Sequence, residues 1–239
     1  MAANPKKRAA PHRRRQRLLR QLYDGEVAQA DRYAGELLDH LRDAGIYEEA
    51  LIVVTADHGE EHWDHGGYQH GHTLHDEVLR VPLIVKLPGN RGAGRRVEGP
   101  VSLLDIGPTI TEITGVRWRG KVEGRCLLDL LEPGPGATEE RALYAESIAR
   151  GAEQRSIILW PHKLMWTPDD ERWEMYDLSQ DAGERNNLAA ADEASLASLK
   201  ESLETWVRAA SAREPATQPP RSEVDEATKE RLRALGYAE

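Results

Sequence analysis

The chain has 239 residues, of which 39% are hydrophobic and 31% are charged, and its formal net charge is −9. This composition is typical of a globular protein with a core, and it excludes a chain too polar to fold. No apolar run approaches the roughly 20 residues that cross a bilayer, so the sequence predicts no transmembrane segment.

Basic residues are concentrated at the start of the chain. Eight Lys and Arg lie within residues 1–20, and no acidic residue precedes Asp24. Such an arm can contact nucleic acid or anionic lipid, but here no aromatic side chains alternate with the cations as they do in single-strand binding surfaces. We therefore interpret residues 1–16 as a solvated, disordered arm and expect no nucleic-acid partner.

Residues 17–44 have the spacing of one helix, which Gly45 ends. Its apolar positions are Leu18, Leu22, Ala30, Ala34, Leu38 and Leu41. Two continuous apolar runs follow, ALIVVTA at 50–56 and VPLIVKLPG at 81–89. Neither run alternates with polar residues, which favours strands buried on both faces of a parallel sheet. The order of helix, strand, loop and strand predicts an α/β sheet sandwiched by helices.

The second half of the chain is divided more finely. The sequence predicts a helix around 102–115 with Asp105 as its N-cap, and a linker at 132–140. Short aromatic segments then predict a small antiparallel sheet, followed by a helix from about Ala190 to Ala210 and a short terminal helix after EPATQPP. We expect four regions: the arm at 1–16, an α/β domain at 17–132, a small α+β subdomain at 133–213, and a linker with a short helix at 214–239.

The loop between the two apolar runs contains the candidate metal ligands. Six of the nine histidines lie between His58 and His75. Asp57 and His58 follow the first strand at its carboxyl end, the edge at which open α/β sheets bind ligands. A carboxylate beside an imidazole offers an oxygen and a nitrogen to one divalent ion, so we predict that these two residues bind metal.

The other histidines of this loop have open roles. His70 and His72 flank a glycine and can bind metal, donate to an anionic ester oxygen, or protonate a leaving group. Three more are typical of an ordinary surface loop: His62, His65 and His75. The acids of the loop are expected to orient histidines rather than to coordinate metal. They are Glu60, Glu61, Asp64, Asp76 and Glu77.

Four segments contain motifs in a recognisable order. They are TADHGE at 55–60, the acidic pair and R-V-P at 76–82, VSLLDIGPTITEITGV at 101–116 and RWEMYDLSQDAGERNNLA at 172–189. In this order they resemble the sulfatase family of the alkaline phosphatase superfamily. The first two resemble the family's second metal motif and the acidic pair and R-V-P that follow it. The third resembles the next helix, and the last resembles the tail motif, in which Y-D-L and an acidic-Gly-Glu-x-x-N-L turn recur.

The resemblance implies an alkaline-phosphatase-like fold without its N-terminal strands and hydrolysis of a sulfate ester on a small molecule or glycan. It implies that Asp57 and His58 bind a divalent ion, usually calcium, with manganese or zinc as alternatives. His70 or His72 stands nearest the position of a lysine that often binds sulfate, so these two are the candidate catalytic residues. Histidine at position 58 also occurs in related phosphonate and phosphodiester hydrolases, and that alternative stays open.

In the family, an aspartate pair of the N-terminal half completes the metal site, and a C/S-x-P-x-R motif after it supplies the formylglycine nucleophile. This sequence does not contain that motif. Its one cysteine, Cys126, lies in GRCLL. We therefore expect the chain to correspond to the C-terminal half of such an enzyme and to be inactive alone. A non-catalytic metal-binding role is the remaining alternative.

Overall fold

The computed structural model describes residues 13–118, 120–131, 141–146, 149–212 and 225–234. Several predicted features lie outside these ranges. They are arm residues 1–12, the linkers at 132–140 and 214–220, and the domain boundaries at 132–133 and 213–214.

The first helix, α1, spans Arg13–Asp43 and so begins four residues inside the predicted arm. It ends as predicted, because Gly45 adopts the left-handed φ of 70° that glycine tolerates best. Within the described chain no residue of α1 is buried, and Leu18 and Leu22 are 55% and 58% exposed. The apolar stripe of this helix is therefore present but largely uncovered.

The loop region and its flanking strands follow α1. Their bounds are β1 (Ile52–Thr55), β2 (Glu61–His62), β3 (Tyr68–Gln69), α2 (Asp76–Leu79), β4 (Leu83–Lys86) and α3 (Ile106–Thr114). Strands β2 and β3 form a short antiparallel hairpin within the histidine-rich loop.

The prediction of parallel strands buried on both faces is wrong. β1 pairs antiparallel with β4, with Val54 opposite Ile84. These two side chains are 43% and 63% exposed. A run of β-branched residues favours a strand, but the direction of pairing and the cover over each face depend on neighbouring segments, so the run itself does not specify them.

The predicted helix around 102–115 is confirmed, and Asp105 stands at its N-cap position as predicted, although its side chain makes no capping hydrogen bond there. A 3-10 turn at Leu103–Asp105 precedes α3, and Ser102 forms a capping box with Asp105. Asp105 is fully buried and also accepts from Arg141 Nη1 at 2.7 Å. The Asp105 carboxylate accepts from the Ser102 N–H with one oxygen and pairs with Arg141 through the other. Both oxygens are therefore directed away from the first turn of α3.

The small antiparallel sheet is confirmed. Its strands are β5 (Leu143–Glu146), β6 (Arg155–Leu159), β7 (His162–Thr167) and β8 (Arg172–Asp177), hydrogen-bonded in that order. Tyr176 and Met165 pack with Leu178 and with Leu74 of the histidine-rich loop in a buried cluster. The loop is thus anchored in the core of this sheet.

Two helices complete the described chain, α4 (Glu193–Ser211) and α5 (Glu226–Ala234). The chain divides at Ser202 into two compact units, and this division falls within α4. Among the described residues, no helix combines the length and apolar character needed to cross a membrane.

Candidate metal site

Asp57 and His58 lie just beyond the carboxyl end of β1, as predicted. The Asp57 side chain is 75% exposed and that of His58 is 27% exposed. His58 Nδ1 lies 2.9 Å from the carbonyl oxygen of Gly59. Because a carbonyl only accepts, Nδ1 is the donor in this contact, and a neutral His58 in this tautomer would present the lone pair of Nε2 to a metal ion.

His58 lies beside Glu60 and His70, and this trio is the candidate metal group. One ligand atom from each lies within 4.8 Å of the others. The rings of His58 and His70 are 4.0 Å apart, and His70 Nδ1 is 2.8 Å from Glu60 Oε1. The second carboxylate oxygen, Oε2, is buried and has no hydrogen-bond partner among the described residues.

This donor set fits a divalent cation. Two imidazoles and a carboxylate suit a borderline ion such as zinc or manganese. A buried carboxylate oxygen without a partner is costly unless it is compensated, and a cation would compensate it. The carboxylate of Asp57 lies outside this trio, with Oδ2 3.8 Å from His58 Nε2.

His72 belongs to a different contact, organised by Glu61. Glu61 is 1% exposed and pairs with His72 Nε2 at 2.7 Å. Its other oxygen accepts from the N–H groups of His65 at 2.9 Å and Gly67 at 2.6 Å. A Cβ at Gly67 would lie 2.1 Å from His72 Nε2, so only glycine leaves room for this pair. Glu61 therefore fixes the loop from within and orients His72.

His65 and His75 form a second group, which the sequence did not indicate. Their rings stack at 3.5 Å with an interplanar angle of 7°. His75 is only 6% exposed, so it is not a surface-loop residue. Its Nδ1 lies 3.2 Å from Glu184 Oε2, and His65 Nδ1 lies 2.6 Å from Glu77 Oε1. Glu77 and Glu61 thus contact histidines as expected, whereas Glu60 departs from that expectation because it also belongs to the candidate metal trio.

Two groups that sequence reasoning missed come from the C-terminal part of the chain. Lys163 on β7 is fully buried, and its Nζ lies 2.7 Å from Glu184 and 2.8 Å from Asp76. The signal available in the sequence was the acidic-Gly-Glu turn at 181–184. That turn belongs to the tail motif of the resemblance, but the sequence does not indicate that it contacts the histidine-rich loop.

These buried contacts shift two pKa values. Burial alone would raise the pKa of Glu184, but His75, Lys163 and the Asp76 N–H outweigh it and lower this pKa to about 2. Burial opposes the charged form of His65 most strongly, yet Glu77 and the Glu184 carbonyl together raise its pKa above the ordinary value. The network therefore favours a charged Glu184 and a readily protonated His65.

Comparison with known families assigns the chain to a family. The model of the sulfatase family matches residues 3–116, and the model described as N-sulphoglucosamine sulphohydrolase, C-terminal, matches residues 63–212. The chain belongs to the sulfatase family. This is a family of sulfuric ester hydrolases, and the expected superfamily and α/β class are thereby confirmed.

Relatives within the family support the assignment. Arylsulfatase K of Xenopus laevis is 26% identical over 182 residues, which cover 72% of this chain and 34% of the relative. The phosphonate monoester hydrolase of Silicibacter pomeroyi superposes with a TM-score of 0.69 at 26% identity, covering 88% of this chain and 44% of that one.

A further solved protein, in complex with its substrate D-glucosamine-2-N,6-O-disulfate, superposes with a TM-score of 0.64 at 25% identity. The match covers 81% of this chain and 41% of that protein. The chain spans about a third of the length of the curated arylsulfatase relatives that it matches.

Proposed function

We propose that this chain carries the second half of the metal site of a sulfatase-type hydrolase that cleaves sulfate esters. The observation that carries the proposal is the trio His58, Glu60 and His70, with a buried, uncompensated carboxylate oxygen, in a sulfatase-family chain. The trio follows the carboxyl end of β1, where ligands bind in open α/β sheets.

In this proposal, Asp57 and His58 are metal ligands and Glu60 completes the site from the same loop. Calcium is the usual ion implied by the family resemblance, and the imidazole-containing donor set also supports manganese or zinc. A divalent ion bound there would supply charge neutralisation at the ester's non-bridging oxygens.

His70 and His72 are proposed to act on the ester, in different ways. In the complete enzyme, His70 is oriented by Glu60 and lies against His58, so it is suited to donate to an ester oxygen or to protonate the departing alkoxide. In this chain alone, the same ring nitrogen can instead bind zinc as the third ligand of the trio. The His72 ring is directed towards Glu61, at 2.7 Å, and towards the His70 carbonyl, at 3.3 Å. These contacts favour His70 as the proton donor, with His72 shaping the loop around it.

The proposed substrate is a sulfated sugar or a small sulfate ester. Support comes from the similar protein solved with a disulfated glucosamine as its substrate. A phosphonate or phosphodiester is the second candidate, because the Silicibacter pomeroyi phosphonate monoester hydrolase superposes over 88% of this chain. An upstream nucleophile motif C/S-x-P-x-R would favour the sulfate, whereas a plain threonine or serine would favour phosphorus.

We further propose that the chain alone does not turn over either ester, since none of its residues matches the nucleophile motif. Without a positioned nucleophile, hydrolysis forfeits many orders of magnitude in rate. An activated aryl sulfate and an aryl phosphodiester are assayed with calcium, manganese or zinc, on this chain and on a protein that includes the in-frame upstream sequence. We expect the longer protein to hydrolyse the sulfate ester, this chain to be inactive, and His58→Ala to abolish the activity of the longer protein. Turnover by this chain near 1 s⁻¹ would overturn the proposal.

A further inference from the structure

Lys163 brings a positive charge into the interior of the four-stranded sheet. Its side chain is 0% exposed, and its Nζ makes ion pairs with Asp76 Oδ1 at 2.8 Å and Glu184 Oε1 at 2.7 Å. A buried lysine is costly unless it is paired in this way. The two carboxylates come from distant segments, since Asp76 starts α2 and Glu184 follows β8.

Glu184 lies in a tightly hydrogen-bonded turn with an unfavourable backbone conformation. Its φ is +52°, a value that residues with a side chain rarely adopt. The turn is closed by Asp181 Oδ2, which accepts from the N–H groups of Arg185 at 2.8 Å and Asn186 at 2.7 Å. Asn187 then accepts from the Met175 N–H of β8 at 3.0 Å. The surrounding contacts thus fix a strained glutamate in place.

From this position Glu184 contacts the histidine-rich loop at two separate points. Its Oε2 accepts from the Asp76 N–H at 2.6 Å and from His75 Nδ1 at 3.2 Å, at the end of the loop. Its backbone carbonyl accepts from His65 Nε2 at 3.0 Å, in the middle of the loop. One residue therefore connects two parts of the loop that are ten residues apart in sequence.

The contact at His65 continues towards the candidate metal group. The His65 N–H donates to Glu61, and Glu61 pairs with His72. His72 Nδ1 in turn lies 3.3 Å from the carbonyl oxygen of His70, which is a member of the metal trio. A continuous series of close polar contacts thus connects Glu184 to the backbone of His70.

We propose that Lys163 and Glu184 are positioning residues for the metal site, acting through His65 and Glu61 on the segment that carries His70. This inference rests on the proposed function, and it assigns a task to the tail motif of the family resemblance. Groups beyond the ligands themselves commonly change metal affinity by 10–100-fold, because they fix the orientation of the ligands.

A second metal ion at His65, His75 and Glu184 is the competing reading of the same residues, whose ligand atoms also lie within 4.8 Å of one another. Two observations disfavour it. The planes of the two stacked rings are within 7° of parallel, so their in-plane lone pairs lie in separate planes and do not converge on one ion. Lys163, 2.7 Å from Glu184, already supplies the positive charge.

The test measures zinc binding to the full chain by calorimetry, at a temperature well below the unfolding midpoint. Lys163→Met and Glu184→Gln are compared with two matched controls in the same sheet and helix region, Lys200→Met and Glu174→Gln. We expect each of the first two to weaken zinc binding by about tenfold and the controls to stay within about twofold. Glu184→Gln retains an oxygen for the Asp76 N–H, so it is the decisive variant if Lys163→Met fails to fold.

A double variant separates positioning from stability. In the Glu60→Ala background, Glu184→Gln should cause no further loss of zinc affinity, because the site it positions is already incomplete. A lower unfolding midpoint with unchanged zinc affinity would overturn the positioning role and leave the proposed function intact. If the parent chain binds zinc no more tightly than Glu60→Ala does, the proposed metal site is contradicted, and this inference is contradicted with it. Two zinc ions bound per chain, one lost in His75→Ala, would overturn the inference in favour of a second metal.

Discussion

The two sheets that flank the histidine-rich loop contain similar residues in very different surroundings. In the β1–β4 pair, Val54 and Ile84 are 43% and 63% exposed. In the β5–β8 sheet, Ile157 and Leu164 are 0% exposed. Burial therefore follows the number of neighbouring segments and not the apolar character of the strand, because a two-stranded pair has little to cover its faces.

The difference in burial between the two sheets indicates which of them supports the candidate site. The metal trio follows β1, in the poorly covered pair, but the loop that contains it is held by Lys163 and Glu184 of the well-packed region. We infer that the rigidity of the site comes from the β5–β8 sheet. Matched substitutions in the two sheets and in the loop test this division of roles.

The largest effect is expected from matched isoleucine truncations. Ile157→Ala should lower the free energy of unfolding by about 2–5 kcal/mol, because it leaves a cavity in a fully buried position. Ile84→Ala removes the same atoms from an exposed position and should cost roughly 0.5 kcal/mol or less. Urea unfolding monitored by circular dichroism measures both. Equal losses would mean that the two sheets do not differ as described.

An acid titration of stability should single out Glu184. Its pKa falls from 4.5 to about 2 in the folded chain, so its stabilisation is present above pH 4.5 and is lost as the pH falls towards 2. The loss amounts to about 3 kcal/mol, by the conversion of pKa units to free energy. The raised pKa of His65 acts oppositely: its contribution is full below pH 6.5 and declines as the pH rises past the folded pKa.

The measurement is the unfolding free energy of the parent and of Glu184→Gln between pH 2 and 8. The difference between them should be constant above pH 5 and shrink below it. Ile84→Ala, in the other sheet, should follow the parent curve throughout. A parent–variant difference that does not change with pH would contradict the role given to the Glu184 charge.

A smaller effect concerns metal preference at the loop. The chain should bind zinc or nickel at least about tenfold more tightly than calcium, because calcium requires 6–8 mainly oxygen ligands and the trio contains two imidazoles. Restoring the upstream aspartates expected from the family resemblance should shift the preference towards calcium or manganese. Titration calorimetry on the parent, Asp57→Ala and the exposed control Glu49→Ala measures this. Unchanged affinity of the longer protein after Asp57→Ala would exclude Asp57 as a ligand.

The smallest effect concerns association through the exposed pair. Strands with uncovered apolar side chains and free edges favour self-association. Ile84→Lys should therefore reduce the oligomeric fraction a few-fold in sedimentation velocity, with little change in unfolding free energy. Leu37→Lys, at a 58% exposed position of α1, is the matched control. A monomeric parent chain would contradict this prediction.

The sequence predicted local elements well where a local signal existed. Gly45 ended α1, Gly115 ended α3, and the turn-punctuated aromatic segments formed the β5–β8 sheet. It failed where the outcome depended on distant residues. The direction of the β1–β4 pair and the exposure of Ile84 depend on which segments lie beside them, and a single apolar run does not encode its neighbours.

In the candidate site, too, the residues with a local signal were predictable and those that depend on distant contacts were not. Asp57, His58 and His70 were identified because they stand next to a strand end or a glycine in the same loop. The sequence does not identify Lys163 and Glu184 as part of the site. Both contact Asp76, which is more than eighty residues away from each of them in the chain. Their contacts depend on β7 and the turn after β8 lying beside the loop, which no local signal in the sequence specifies.

The conformation of Glu184 has a consequence for how position 184 can change. Its left-handed backbone favours glycine or asparagine, whereas its contacts require a carboxylate on a long side chain. A glycine there would relax the backbone and at the same time leave the Lys163 ammonium with a single carboxylate partner. Glycine or asparagine at position 184 would therefore relieve the backbone but remove the buried carboxylate. The residues that the local backbone favours are those that would leave Lys163 poorly paired.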